Sequence, residues 1–130
     1  AMKDLTREVR CQADLIGILT VIGQKRDQYR KTLGEITGSY GSAGYCWGDQ
    51  YSADRCYSDT LKAFQKLGFT DIVRDPWGPF YIINESEGKF GYDPCRGKDE
   101  LKSFFCLGQA GPNPPPSAPV SIEVPFYKCK

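Results

Sequence analysis

Apolar residues recur at Leu5, Val9, Ala13, Ile16, Leu19, Ile22, Tyr29 and Leu33, close to the 3.6-residue period of an α-helix. This spacing predicts one long helix over about residues 5–33. Leu15, Ile18 and Val21 widen the stripe, so the middle is apolar over more than one face while both ends are charged. Gly17 and Gly23 each weaken such a helix by roughly 1 kcal/mol relative to Ala. Gly34 is the expected C-terminal cap, with Arg30 and Lys31 in the last turn, where cations suit the helix dipole.

The pattern then changes. Residues 37–57 are rich in Gly, Tyr, Ser and Asp and predict a loop. Ser58 to Leu67 predicts a short helix, with Ser58 or Asp59 as N-cap, Leu61, Phe64 and Leu67 on its apolar face, and Gly68 ending it. RDPWGPF forces a turn at Pro76, Gly78 and Pro79. Phe80 to Ile83 is aromatic and β-branched and predicts a strand; NESEG (Asn84 to Gly88) is a turn, and Lys89 to Tyr92 is its expected return. Lys102 to Leu107 is a further strand. Gly111 to Pro119 holds five prolines and predicts a stiff loop. Val120 to Tyr127 alternates as a closing strand, with Pro125 favouring an edge position. A long helix, a loop, a short helix and three or four antiparallel strands make an α+β domain spanning 3–130, with the long helix covering the sheet over 79–130. Ala1-Met2 reads as a cloning remnant and is left out of this reasoning.

Composition sharpens the picture at two points. Six cysteines (Cys11, Cys46, Cys56, Cys95, Cys106 and Cys129) lack any CxxC pair, and no histidine completes a zinc site. They predict a disulfide framework in an oxidising compartment, reached through an export signal upstream. Fifteen pairings are open; a Cys46–Cys56 bridge would close the glycine-rich loop. The lack of histidine removes the usual general base and the commonest metal ligand, and argues against an enzyme. With a net charge of +1 and no Lys/Arg run, nothing in the sequence marks a nucleic-acid or anionic-membrane partner.

Three segments carry a resemblance. ADLIGILTVIGQKRDQYR (Ala13 to Arg30) has an Asp-aliphatic start, an aliphatic repeat and a Tyr before a loop. RDPWGPFYIINESEGKF (Arg74 to Phe90) runs from Asp-Pro-Trp-Gly into an aromatic strand and its hairpin. FFCLGQAG (Phe104 to Gly111) ends a strand. On these segments the chain resembles the type IV pilins and type II secretion pseudopilins. In that family a long N-terminal helix packs on a small antiparallel sheet, and the helix's apolar N-terminal half anchors the precursor in the inner membrane before forming the filament core. The resemblance implies a filament subunit, a pilin of either rank or a pseudopilin, assembling with like or unlike pilins. It also implies a cell-surface or periplasmic location, with Leu15, Ile18, Leu19 and Ile22 on the assembly helix. One disulfide would bracket the C-terminal region, as Cys106–Cys129 or Cys95–Cys129. The family's Gly-x-Tyr-Pro stands here as GSYG (Gly38 to Gly41), and its calcium-binding loop as GQAGPNPPP (Gly108 to Pro116), which has no carboxylate. The alternative is a free secreted, disulfide-rich binding or adhesion module.

Individual residues set further expectations. Trp77 anchors its turn on the core, and Asp75 caps that turn. Asp93, Asp99 and Glu100 are the candidate oxygen ligands for calcium, against a solvated charged loop; no other cofactor is expected. Asp49, Asp54 and Asp59 read as surface carboxylates. Tyr40, Tyr45, Tyr51 and Tyr57 crowd the glycine-rich loop, a composition shared with binding loops. The helix charges Arg7, Glu8, Arg10, Lys25, Arg26 and Asp27 are solvated or set register between subunits.

Overall fold

The computed structural model describes residues 2–41, 53–103, 105–106 and 120–129. Helix α1 runs Met2–Tyr29 and α2 runs Leu33–Thr37, so the expected single helix to residue 33 is two. Arg30 breaks α1 with a left-handed φ of 54°, its N–H still reaching Arg26 O at 2.7 Å. Thr32 then starts α2. Its hydroxyl accepts the Glu35 N–H, and the Glu35 carboxylate accepts the Thr32 N–H, a reciprocal capping box. Gly34 is therefore a buried helical residue, and the cap is Gly38, at φ 69°.

Helix α3 spans Ala53–Lys66, starting ahead of the expected Ser58. Cys56, Thr60, Ala63, Phe64 and Leu67 are all buried, a helical stripe that the loop assignment had cut short. Gly68, with φ 102°, turns the chain out as expected. The DPWG turn follows. Asp75 Oδ1 accepts the Trp77 N–H (2.9 Å), and the Asp75 N–H donates to Pro79 O (2.8 Å), closing a hairpin tip whose arms bridge at Arg74 and Phe80.

Three strands form an antiparallel sheet in the order β1 (Ile82–Asn84), β2 (Asp99–Ser103), β3 (Val120–Val124). Ile83 pairs with Leu101, and Leu101 with Ile122. The expected return at Lys89 to Tyr92 is turn, and Asp99–Ser103 takes its place beside β1. Pro125 follows β3 at the sheet's edge, where a missing N–H costs no ladder bond.

Helix α1 covers this sheet. Cys11, Leu15, Ile18 and Ile22, spaced i, i+4, i+7, i+11, share one buried cluster with Tyr81, Ile83, Leu101 and Val124. Tyr81 donates to Asp14 Oδ2 at 2.9 Å, and Arg26 donates to Pro125 O, so the middle and the C-terminal end of the helix are also bonded to the sheet side. Burial and the Asp14 bond push the Tyr81 hydroxyl well above its ordinary pKa. The Cys11–Cys106 disulfide pins the same face. Trp77 is half-buried against this core with its ring centroid 6.2 Å from that of Phe105, an anchor as expected.

Candidate interaction surfaces

Helix α1 has two apolar faces, and only one meets the sheet. Leu15, Ile18 and Ile22, expected as assembly contacts, are buried in this chain's own core, and Leu19 packs half-buried beside them. Glu8 is also turned inward, 1% exposed, with Oε2 3.6 Å from the Cys106 sulfur. The outward stripe is Val9, Ala13, Ile16 and Thr20, which the periodicity had placed partly in the core. Val9 is 54% exposed and Ile16 63%. Beside them, a Cβ added at Gly17 would meet no atom within 4 Å. Nothing among the described residues requires a glycine there, and its small profile leaves room for another backbone to approach.

A second surface is built where the β1–β2 connection meets the C-terminus. The two-residue alternation of Tyr81 and Ile83 continues past β1 into Glu85 and Glu87, both only 4% exposed. Glu87 Oε1 accepts the Tyr127 N–H (2.7 Å), and its Oε2 accepts those of Lys128 (2.6 Å) and Cys129 (2.7 Å). Three successive amides around one carboxylate form an anion-binding nest. The Cys95–Cys129 disulfide closes beside it, and Lys128 pairs with Glu35 at 3.0 Å. Of the two expected C-terminal brackets, Cys95–Cys129 is the one that forms. Cys56 is also disulfide-bonded; its expected partner Cys46 lies outside the described residues.

Glu85 sits below this clasp. The Thr37 hydroxyl donates to Oε2, and Lys89 Nζ lies 3.0 Å from Oε1. A Cβ at Gly41 would stand 2.6 Å from Glu85 Oε2, so the carboxylate fills the space a side chain would need. Asp99 Oδ1 accepts the N–H groups of Ser86 (2.6 Å) and Glu87 (3.2 Å), while its Oδ2 has no hydrogen-bond partner among the described residues. Burial raises both the Glu85 and the Asp99 carboxyls above the ordinary range. Glu35 is different: the Thr32 N–H and the Lys128 ammonium hold its carboxyl down to about 2. Two grooves flank Cys129, one of about 420 Å³ lined by Lys98, Glu123, Pro125 and Phe126, the other of about 370 Å³ lined by Thr32, Glu35, Glu87 and Lys128.

The candidate calcium ligands are not brought together. Asp93 is exposed and accepts the Cys95 N–H; Asp99 is buried at the start of β2; Glu100 is the next residue along the strand and faces the other way. Glu100 is bonded there by Asn84 and Ser121. No group of three or more His, Cys, Asp or Glu residues that could hold a metal occurs among the described residues. Asp54 is exposed, Asp59 pairs with Arg55 at 3.7 Å, and Asp49 lies outside the described residues.

The tyrosines also separate. Tyr40 packs half-buried on the core beneath Lys62. Tyr57 belongs to α3, edge-on to Phe80 with Arg74 over its ring, while Tyr45 and Tyr51 lie outside the described residues. A more exposed aromatic group stands in the β1–β2 connection, where Arg96 lies over Phe90 and Tyr92 and Tyr92 is 76% exposed. Hydrophobic periodicity does not single it out; its Phe-x-Tyr-x-x-x-Arg spacing is the one local signal it leaves.

The disulfides fit an oxidising extracellular or periplasmic compartment, and no helix among the described residues is long and apolar enough to cross a membrane. No protein-family model, curated protein or solved structure matches the chain.

Proposed function

We propose that this chain is the head of a type IV pilin or type II secretion pseudopilin, a structural subunit that acts by helical self-assembly. The observation that carries this function is the outward stripe of α1. A helix that buries one apolar face on its own sheet leaves Val9, Ala13 and Ile16 in water on the other, beside the unobstructed Gly17. Apolar surface exposed along a helix favours a partner helix. Copies related by a non-closing rotation would stack these helices into a filament. The Cys11–Cys106 disulfide would tie the head to that helix.

Such a subunit needs an apolar anchor ahead of this segment. The test is the coding sequence upstream of Lys3. We expect roughly 20 apolar residues running into Leu5, with a Gly before the cleavage point and a Glu shortly after that point. A conventional signal peptide ending at a small-residue cleavage site near Lys3 overturns the assignment. It would favour the second function, a free secreted binding or adhesion module. The exposed Phe90–Tyr92–Arg96 group speaks for that alternative, since rigid aromatic and arginine side chains dominate binding hot spots.

A further inference from the structure

Three separated elements bring lysines to one place. Lys25 of α1, Lys31 of the α1–α2 connection and Lys66 at the end of α3 line a cleft of about 210 Å³ together with Tyr29, Glu35 and Ile36. Glu35 is the one carboxylate in that lining. It is turned to the clasp side, where the Thr32 N–H and Lys128 both meet Oε1 at 3.0 Å. Among the described residues no ion pair engages Lys25, Lys31 or Lys66. Lys25 Nζ lies 5.6 Å from the centroid of the Tyr29 ring, which is 50% exposed. Lys62, one turn before Lys66 on the same face of α3, repeats the arrangement 5.0 Å from the Tyr40 ring. The result is a stripe in which cations alternate with aromatic rings.

We infer that this stripe binds single-stranded nucleic acid. Unpaired lysines neutralise backbone phosphates and release their counterions. A half-open tyrosine among them gives a base a face to stack on, the combination that holds single strands without sequence preference. Each Lys–Tyr couple sets a cation beside a flat ring, matching a nucleotide, whose phosphate and base are separate groups. A duplex keeps its base faces inside and would engage the lysines alone. This site does not depend on filament assembly, because all its residues belong to one copy.

The test is fluorescence anisotropy of a labelled oligothymidylate against the 130-residue chain, from about 50 to 200 mM salt. We expect the logarithm of the binding constant to fall with the logarithm of salt at a slope of about −3, from roughly 0.7 per neutralised phosphate at four lysines. Lys66→Gln should flatten the slope by about 0.7, and Lys25→Gln with Lys31→Gln and Lys66→Gln should leave only about −0.7, the share of Lys62. Tyr29→Ala should weaken binding roughly tenfold at unchanged slope, and Tyr29→Phe should restore it. Thermal unfolding of each variant verifies that the fold persists. Absence of binding at the lowest salt, or an unchanged slope in Lys66→Gln, overturns the inference. So does equal competition, charge for charge, by duplex DNA or by polygalacturonate, which would mark the cleft as a general polyanion site.

Discussion

Glu35 and Asp99 show how differently two carboxylates are used. Glu35 closes the capping box of α2 and takes Lys128, and those bonds hold its carboxyl near 2 instead of 4.5. Its stabilisation is therefore present above the ordinary carboxylate range and is lost as pH falls from about 4.5 toward 2. Glu35 is largely solvent-exposed, so screening discounts the shift. Glu35→Ala should cost about 1 kcal/mol at pH 7 and nothing near pH 2, measured by denaturant unfolding at both values. Asp99 has the opposite sign. Burial raises its carboxyl, so the folded chain holds a proton that the unfolded chain has released. Its contribution is present below the ordinary value and is lost as pH rises through the raised one. Asp99→Asn keeps an oxygen for the Ser86 and Glu87 amides. It should flatten the fall in melting temperature that the parent chain shows as pH climbs from the ordinary carboxylate range toward neutrality. A parent chain with no such fall would contradict the raised Asp99.

At the scale of elements, α1 decides most. Its sequence is apolar on two faces, and periodicity alone ranks the stripe through Val9, Ala13 and Ile16 as highly as the one through Leu15, Ile18 and Ile22. The tie is broken by residues that hydropathy does not weigh. Cys11 is bridged to Cys106 on the inward face, and Asp14 takes the Tyr81 hydroxyl. The two faces should respond oppositely to substitution. Ile18→Ala, at a fully packed position, should cost about 2 to 5 kcal/mol. Ile16→Lys should change stability by no more than about 0.5 kcal/mol and abolish self-association of the anchored precursor, read by chemical unfolding and by filament counts on cells. Loss of stability from Ile16→Lys with no effect on assembly would remove the outward face from consideration. The break after Tyr29 was also written in the chain: Thr32-Leu-Gly-Glu35 is a capping-box signature, overshadowed by the glycine at position 34.

Over the whole molecule, the two described disulfides tie the N-terminal helix and the C-terminus to residues in the last third of the chain. Cys11–Cys106 joins α1 to the segment after β2, closing a separation of 95 residues, and Cys95–Cys129 closes one of 34. In the chain-entropy account the longer loop contributes more, about 4 to 5 kcal/mol against about 3 to 4. The shorter one is backed by the Glu87 nest, which holds the same C-terminal residues without sulfur. Paired Cys→Ser replacement at 11 and 106 should therefore lower the unfolding free energy more than replacement at 95 and 129, and the second variant should keep Tyr127 to Cys129 in place. Denaturant unfolding measures the first. Hydrogen exchange at the amides of Lys128 and position 129 measures the second, and unprotected amides there would show that the carboxylate alone does not hold the clasp.

The sequence by itself determined the long first helix, the helix ahead of Gly68, the turn after it, the closing strand and the chemistry of the cysteines. Helical periodicity, the Gly68 stop, the DPWG turn and alternation near the C-terminus are local properties that act within a few residues. Only the tertiary structure decided which face of α1 is buried, which strand lies beside β1 and which cysteines meet, because these depend on groups far apart in the chain. The buried carboxylates belong to the same category. Glu85 and Glu87 look like turn residues until Thr37, Lys89 and the amides of Tyr127 to Cys129 are folded around them, and no local pattern encodes those partners. The lysine stripe is a further case: positions 25, 31, 62 and 66 form no run in sequence, and they adjoin because α1 and α3 end at the same side of the molecule.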